Sequence, residues 1–247
     1  MNEVIQQLKA HRSIRKFKPE PVAEEQLKAM LDAAQMASSS NNAQAYSVIG
    51  VTDPAIKEQV AILAGNQRHV AECPLFLVWC ADLHRLKTAI ELDGSEKMPN
   101  TNKTENFIVG TVDTALAAQN AAVAAESMGL GILYVGGIRN NPKELSRLLG
   151  LPQLVYPVFG MCVGVPDQEP ILRPRLPQAA IYHRNRYSSA QVEEHLQQYD
   201  AVYRQYMLNR SGGKRDTIWT KDIATNFRQK QREHMKSFLE EQGFELR

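Results

Sequence analysis

The chain has 247 residues, of which 43% are hydrophobic and 23% charged, with a formal net charge of +2 at pH 7. This composition is typical of a soluble globular protein of one large or two small domains, and the near-balanced charge disfavours attraction of the whole molecule to nucleic acid or membranes. Three cysteines without CxxC spacing and an N-terminus without a secretory pattern predict a cytoplasmic protein.

Hydrophobic periodicity predicts helices and strands along most of the chain. A short amphipathic helix is expected at the N-terminus, a second helix at Pro21–Ala37 and a long one at about Glu105–Met128. The long helix is apolar or alanine on nearly all faces, which indicates burial in a core or against a second subunit. Strands are predicted at Tyr46–Val51, Leu75–Cys80 and Pro157–Val165.

Two segments depart from this pattern. Residues 82–104 are polar and poorly periodic, so we expect a surface excursion or a mobile lid. From about residue 190 onward the chain is mostly helical and polar. Residues 203–236 hold nine Lys and Arg against three Asp and Glu, which makes this C-terminal segment locally basic. No internal repeat is visible.

Two clusters of basic residues indicate an anion site. The first closes the N-terminal helix and combines an imidazole, two guanidinium groups and a hydroxyl in His11, Arg12, Ser13 and Arg15. The second is RPRLP, in which two prolines stiffen the chain around Arg173 and Arg175. Arginine offers a rigid fork of donors that matches phosphate oxygens. Each cluster alone is also consistent with an ordinary solvated surface.

A glycine pair lies between the clusters in the chain. Gly136 and Gly137 follow a short predicted strand, and such a pair permits a close approach of backbone to a flat ligand. The spacing is neither GxGxxG nor that of a P-loop, and HExxH and GxSxG are absent. The six histidines show no ligand spacing, so no metal site is predicted. His69, near Gln67, is expected to be a surface histidine.

These residues together resemble the nitroreductase superfamily, in the branch of oxygen-insensitive NADPH nitroreductases and NAD(P)H:FMN oxidoreductases. The resemblance rests on blocks that keep their order over essentially the whole chain. They are HRSIRKF at 11–17, the run at 38–44, AGNQ at 64–67, AAQNAAVAAESMGLG at 117–131, YVGGIRN at 134–140, FGMCVGVP at 159–166, RPRLP at 173–177 and YHRNRY at 182–187.

The resemblance implies an α+β fold of one domain over residues 1–247, with a central antiparallel sheet flanked by helices. It also implies an intertwined homodimer with FMN in two clefts at the subunit interface. FMN would carry the chemistry, so no catalytic side chain is assigned. The residues implied to bind FMN are His11, Arg12, Ser13, Arg15, Ser39, Gln67, Tyr134, Val135, Gly136, Gly137, Arg173 and Arg175.

The resemblance assigns these FMN-binding residues to different parts of the cofactor. His11, Arg12, Arg173 and Arg175 surround the phosphate, and Ser13, Arg15 and Gln67 meet the pyrimidine edge. Tyr134–Gly137 lies along the isoalloxazine. The basic segment YMLNRSGGKRDTIW at 206–219 occupies the position of an NADPH loop, in which Arg210, Lys214 and Arg215 would grip the 2′-phosphate.

The implied activity is a ping-pong transfer of two electrons from NADPH, or NADH, to a nitroaromatic, a quinone or free flavin. A dedicated NAD(P)H:flavin reductase that supplies reduced FMN remains an alternative within the enzyme class. Asn42, Tyr46 and the 82–104 excursion are candidate linings of the acceptor pocket. Outside the enzyme class, the basic C-terminal segment is compatible with nucleic-acid binding, although neither a nucleic acid nor a membrane is the expected partner.

Overall fold

Strands in the centre of the chain form an antiparallel sheet. The computed structural model describes residues 2–94, 100–229 and 232–246. In these ranges the sheet has four strands in the order β1-β2-β4-β3. The strands are β1 (Tyr46–Val51), β2 (Leu75–Asp82), β3 (Gly131–Val135) and β4 (Val155–Gly164).

The described chain divides into two units. The sheet unit is Met1–Pro170 with Arg232–Arg247, and the helical unit is Ile171–Gln231. Helices of the sheet unit are α1 (Glu3–Ala10), α2 (Glu24–Gln35), α3 (Pro54–Leu63), α4 (Arg68–Glu72), α5 (His84–Leu92), α6 (Thr104–Ser127), α7 (Pro142–Leu148) and α10 (Met235–Glu241). Those of the helical unit are α8 (Val192–Ser211) and α9 (Trp219–Arg228).

Strand β2 is buried along its whole length because helices cover both faces of the sheet. Leu75, Leu77 and Trp79 point to one side, where they pack with the alanines of α6 and with α2. Phe76 and Val78 point to the other, against α3, α4 and α7. The period-2 alternation of a strand therefore supplies two apolar layers from one continuous apolar sequence.

Helix α6 is the long helix expected from the sequence. Alanines at positions 117, 118, 121, 122 and 125 are buried against the sheet, and their small side chains permit the close approach. The helix is long and apolar enough to cross a membrane by length and composition alone. Its buried alanine face makes it a core helix of the sheet unit.

A buried carboxylate on α6 fastens the segment that precedes β1. The Asp113 side chain is 2% exposed. Its two oxygens accept hydrogen bonds from the backbone N–H groups of Ser40 and Ala45, each at 3.1 Å. Between these anchors Asn41, Asn42 and Gln44 have positive φ angles. The sequence analysis gave Asp113 no role, since its partners lie about 70 residues away in the chain.

Several boundaries differ from the sequence-based prediction. Helix α2 spans Glu24–Gln35 rather than 21–37, because the Ala23 backbone N–H is already capped by the Gln26 side chain. Strands β2 and β4 extend two residues beyond the predicted ends, to Asp82 and back to Val155. The polar excursion is partly regular, since α5 fills residues 84–92, while the part at 95–99 lies outside the described residues.

The three cysteines, Cys73, Cys80 and Cys162, are buried free thiols. Burial raises the pKa of Cys80 to about 12, so this thiol stays protonated and packs as a small apolar side chain.

We predict that Asp113→Asn lowers the free energy of unfolding by about 1.5–3 kcal/mol. The substitution replaces one acceptor by an N–H donor that faces a backbone N–H. Urea unfolding followed by circular dichroism measures the change. The control is Asp32→Asn, which removes an exposed i,i+4 partner of Lys28 and is expected to cost less than about 0.5 kcal/mol. Equal losses in the two variants would contradict an anchoring role for Asp113.

Candidate cofactor and substrate site

The HRSIR cluster runs beside the edge strand of the sheet. Helix α1 ends at Ala10, so the cluster follows the helix in extended backbone rather than closing its last turn. Ser13 pairs in parallel with Ile132 of β3, and the Ile14 N–H donates to the Ile132 carbonyl at 2.9 Å. A Cβ at Gly131 would lie only 2.6 Å from Ile14 Cγ1. The glycine therefore lets the basic segment lie directly against β3.

Arg12 carries a buried donor without a partner. Its Nη1 donates to the Ala10 carbonyl at 3.1 Å. Its Nε is buried and has no hydrogen-bond acceptor among the described residues. A buried charged donor left unpaired is costly, by about 1–3 kcal/mol or more, and a bound anion would remove that cost. Arg12 lines a cavity of about 410 Å³ beside β3.

His11 is held by a carboxylate on α6. Its Nδ1 lies 2.6 Å from Glu126 Oε1, and the Glu126 side chain is 15% exposed. This contact fixes the imidazole ring and leaves Nε2 as the nitrogen available to a ligand. Both residues line the same cavity as Arg12.

The Gln67 amide is fixed at both ends. Its Nε2 donates to the Ala64 carbonyl at 2.9 Å, and its Oε1 lies 2.9 Å from His69 Nε2. Because an amide oxygen only accepts, this His69 nitrogen is the donor. A second N–H and a second lone pair of the amide remain for a ligand.

Gly137 packs against this amide. A Cβ at position 137 would overlap Gln67 Nε2 and lie 2.5 Å from the Ala64 carbonyl oxygen. The turn after β3 and the loop before α4 thus meet at a point where only a glycine fits. The glycine pair predicted to approach a ligand is required here by the protein's own packing.

His69 is half-buried, and its hydrogen bond to Gln67 satisfies the ring, as expected for a satisfied histidine near the surface. Burial lowers the pKa of His69 from its ordinary value, and the positive charge of Arg15 lowers it further. The ring is therefore favoured as neutral near pH 7. The sequence signal for His69 was its spacing of two residues from Gln67.

Tyr134 and Val135 lead into the glycine turn. The Tyr134 hydroxyl donates to Gln119 Oε1 at 3.3 Å, and its ring meets Phe159 edge-on at 5.2 Å between centroids. Burial raises the pKa of Tyr134, which keeps the phenol protonated. Val135 is buried in the core.

Ser39 lies in a different part of the sheet unit, between α2 and β1. Its Oγ accepts from the Gln44 backbone N–H at 3.1 Å. Among the described residues, no hydrogen bond joins Ser39 to the HRSIR segment or to Gln67. The structure therefore brings together the HRSIR segment, Gln67 and the glycine turn, and leaves Ser39 apart from them within one chain.

A pair of arginines near the glycine turn was missed by sequence reasoning. Arg139 Nη1 donates to the Val158 carbonyl, and Arg232 Nε donates to Asn140 Oδ1 at 2.9 Å. Burial lowers the pKa of Arg139, and the neighbouring Arg232 charge lowers it further. In the described part of the chain, neither arginine has a carboxylate partner within 4.0 Å. Ninety-two residues separate Arg232 from Asn140, so no local motif announces the pair.

In the helical unit the RPRLP segment packs on the tyrosines of α8. The Tyr199 hydroxyl donates to the Pro174 carbonyl at 2.8 Å. The neighbouring Tyr206 phenol raises the pKa of Arg173, whose guanidinium carbon lies 5.9 Å from the centre of the Tyr206 ring. Arg175 Nη1 donates to the Arg173 carbonyl at 2.9 Å. Both arginines are exposed.

The predicted NADPH loop joins α8 to α9. Gly212 ends α8 in the left-handed conformation, and Gly213 also has a positive φ angle. Arg210 and Lys214 are exposed, whereas Arg215 is held by Asp222, with 2.8 Å between Nη2 and Oδ2.

The fold and the site define a class of protein. It is an α+β protein in which an arginine donor without an acceptor among the described residues, a fixed amide and a glycine turn lie near the edge strand of the sheet. Residues 8–165 match the Nitroreductase family, and residues 173–247 match the Nitroreductase family C-terminal domain. The chain belongs to the nitroreductase family, which confirms the resemblance found in the sequence. The prediction of one domain over the whole chain stays a prediction.

Full-length relatives are similar to this chain. An FMN reductase [NAD(P)H] of Bacillus subtilis is 42% identical over 247 residues, which are 100% of this chain and 99% of the relative. An oxygen-insensitive NADPH nitroreductase of Salmonella typhimurium is 39% identical over 100% of both chains. The solved structure of NfrA2 from B. megaterium superposes with a TM-score of 0.97 at 39% identity and covers 100% of both chains. The predicted α+β fold is therefore confirmed.

We predict that Gly137→Ala destabilises the protein by about 1–3 kcal/mol, because the new methyl group overpacks the Gln67 amide. Urea unfolding of the flavin-free protein measures this cost. Gly136→Ala is the matched control, since its Cβ would lie 3.4 Å from the movable end of Arg139. If the two variants unfold at the same urea concentration, the close packing of Gly137 on Gln67 is not a constraint.

Proposed function

We propose that this chain is an NAD(P)H-dependent oxidoreductase that holds FMN along β3 and reduces nitroaromatics, quinones or free flavin. The observation that carries the proposal is the buried, unpaired Nε of Arg12 on a segment that lies against β3. The names of the relatives from B. subtilis and S. typhimurium support the same activity.

The residues of the site fit FMN. Arg12 supplies a phosphate donor that has no protein partner among the described residues, and His11 adds its Nε2. Arg173 and Arg175 of the helical unit stay the sequence-based predictions for further phosphate contacts. A phosphate monoester carries about −1.5 to −2 charges at pH 7, which calls for several cations.

The ring edge of FMN is assigned to a second group of residues. The fixed amide of Gln67, with Ser13 and Arg15, meets the polar pyrimidine edge. Tyr134, Val135, Gly136 and Gly137 are assigned to the face of the ring, where glycine permits a close approach of the backbone. Ser39 is a further contact of this proposal, although within one chain it lies apart from the other residues of the site.

Bound FMN would supply two-electron transfer in a ping-pong reaction, taking a hydride from NADPH or NADH and passing two electrons on to the acceptor. The chain's own residues would bind the FMN, orient it and tune its electronic properties. The Arg15 cation favours additional negative charge on a neighbouring ring. His69 holds Gln67 in one orientation, and no side-chain acid or base is assigned.

The acceptor is assigned to the side of the glycine turn that carries Arg139 and Arg232. Two guanidinium groups without a carboxylate partner in the described residues suit the oxygens of a nitro group or a quinone. A Cβ at Gly136 would lie 3.4 Å from Arg139 Nη2, so this pair lies beside the turn. Asn42 and Tyr46, with the 82–104 excursion, remain the sequence-based predictions for the rest of the pocket.

A dedicated flavin reductase is the second candidate, favoured by the name of the B. subtilis relative. Steady-state rates with free FMN, a quinone and a nitroaromatic, each with NADPH and NADH, separate the two. A dedicated flavin reductase would use only free FMN efficiently. Arg204 of the basic segment is bound by the Asp216 carboxylate through two N–H groups, which disfavours the nucleic-acid alternative.

We predict that Arg12→Ala weakens FMN binding about tenfold to a hundredfold, the range expected for one charge-assisted hydrogen bond. Quenching of flavin fluorescence measures the dissociation constant. Arg147→Ala, which removes an exposed arginine of α7, is the matched control and should leave binding unchanged. A protein that neither binds FMN nor oxidises NADPH with added FMN would contradict the proposed function. Equal affinities for the two variants would contradict the role of Arg12.

A homodimer would complete the cleft. Three apolar side chains on successive turns of α6 form an exposed stripe, with Ile108 at 48%, Val112 at 49% and Leu116 at 44% exposure. Val4, Ile5 and Leu8 of α1 are also exposed. Contiguous exposed apolar faces mark interaction surfaces, and a second copy of the chain would bring its own Ser39 to a cleft between subunits.

We predict that Ile108→Glu converts the protein to monomers at micromolar concentration and weakens FMN binding at the same time, because the charge falls within the apolar stripe. Analytical ultracentrifugation measures the mass, and flavin titration measures binding. Ile62→Glu is the control, since Ile62 is an isoleucine on α3 that is 54% exposed. Monomeric parent protein, or a dimer that survives Ile108→Glu, would overturn this interface.

A further inference from the structure

Asp222 at the start of α9 joins three donors of the helical unit. Its Oδ2 accepts from Arg215 Nη2 at 2.8 Å and from the Tyr203 hydroxyl at 3.0 Å. Its Oδ1 accepts from the Thr217 hydroxyl at 2.9 Å. The Asp222 side chain is 19% exposed and that of Arg215 is 56% exposed. The carboxylate is thus an internal anchor, and the guanidinium is the outer partner.

The carboxylate does not depend on Arg215 to stay in place. Burial acts to raise the pKa of Asp222. Hydrogen bonds from Thr217, Tyr203 and Arg215 outweigh this effect and hold the pKa below its ordinary value. Two of these three donors are neutral hydroxyl groups on α8 and the loop. Asp222 therefore remains charged and oriented at neutral pH whether or not Arg215 is bound elsewhere.

Arg215 uses only some of its side-chain N–H donors in the contact with the Asp222 carboxylate. A guanidinium has five N–H donors, and the bond to Asp222 uses Nη2. The backbone of the same residue is held by its N–H, which donates to Ser211 Oγ at 2.8 Å. A side chain fixed at one corner loses less conformational entropy when its remaining donors bind a ligand.

The ion pair between Arg204 and Asp216 differs from the pair between Arg215 and Asp222 in the number of N–H groups it uses. Arg204 and Asp216 form a two-pronged pair, at 2.5 Å from Nε to Oδ1 and 2.6 Å from Nη2 to Oδ2. Both members are about half exposed, and the forked geometry uses the face of Arg204 that would receive a phosphate. Arg215 keeps such a face open, and Arg204 does not.

We propose that Asp222 is a positioning residue that orients Arg215 toward the 2′-phosphate of NADPH and so sets the preference for NADPH over NADH. This inference rests on the proposed use of NADPH and on the sequence-based prediction that Arg215 belongs to the NADPH loop. Asp222 acts through Arg215 and touches no nucleotide itself. Its negative charge opposes phosphate binding in part, and the gain from holding the guanidinium outweighs that repulsion.

The test is Asp222→Asn in the full-length flavin-loaded enzyme. Asparagine has the same shape, and its amide oxygen accepts from the Tyr203 hydroxyl while its NH2 group donates to the Thr217 hydroxyl, but as a neutral group it holds a guanidinium much less strongly. We expect the KM for NADPH to rise about tenfold relative to that for NADH, with kcat nearly unchanged. The inhibition constant of 2′-AMP should rise in parallel, and Asp222→Glu should restore part of the preference.

Two controls make the result specific. Glu193→Gln removes an exposed carboxylate in the first turn of α8, at the opposite end of that helix from the loop, and should leave the ratio of the two KM values unchanged. In the Arg215→Ala background, Asp222→Asn should add nothing to that ratio, since its effect passes through Arg215. Thermal unfolding of each variant reports on folding separately from nucleotide preference.

The outcomes separate this inference from the function on which it rests. If Arg215→Ala lowers the preference for NADPH but Asp222→Asn does not, Asp222 has no positioning role and the NADPH loop stands. If Asp222→Asn increases affinity for NADPH, Asp222 is a competitor of the phosphate and the inference is overturned. If Arg215→Ala leaves the ratio unchanged, both the inference and the assignment of the loop fail, while FMN binding and NADH oxidation still test the wider proposal.

Discussion

The contact between Gly137 and the Gln67 amide is the constraint on which the site depends. It joins the turn after β3 to the loop before α4, and a single methyl group at position 137 would break it. The amide is locked in turn by the Ala64 carbonyl and by His69. The amide that we propose for the pyrimidine edge of FMN is thus oriented by the protein beforehand, which would reduce the ordering that binding must provide.

Among the described residues, three buried side-chain atoms have no hydrogen-bond partner, Arg12 Nε, Trp79 Nε1 and Ser146 Oγ, and of these only Arg12 carries a charge. Asp113 uses both oxygens to fasten the segment before β1, and buried Lys57 donates to the Cys73 carbonyl at 2.7 Å. Arg12 differs, because its Nε is buried without an acceptor in the described chain. A donor set of this kind is costly in the free protein and favourable once an anion binds.

The arginines of the two units differ in whether a carboxylate neutralises their charge. Arg12 is held at one nitrogen by the Ala10 carbonyl and has a buried nitrogen unused. Arg139 and Arg232 are held by a carbonyl and an amide oxygen, so their charges are not neutralised by these contacts. In the helical unit, Arg204 and Arg215 bind carboxylates. Net charge along the sequence therefore says little about which cations remain available to a ligand.

The sequence by itself determined the elements and the family. The run of alanines predicted a buried α6, the apolar run at 75–80 predicted β2, and the ordered blocks from HRSIRKF to RPRLP identified the nitroreductase family. These signals are local, because periodicity and motif spacing are properties of neighbouring residues. The tertiary structure decided the rest. In the folded chain His69 holds the Gln67 amide, and Asp113 binds two backbone N–H groups. Arg232 reaches Asn140, and Arg215 pairs with Asp222. Most of these contacts join residues far apart in the chain, and the local ones depend on how the surrounding chain is folded, so only the three-dimensional packing could specify them.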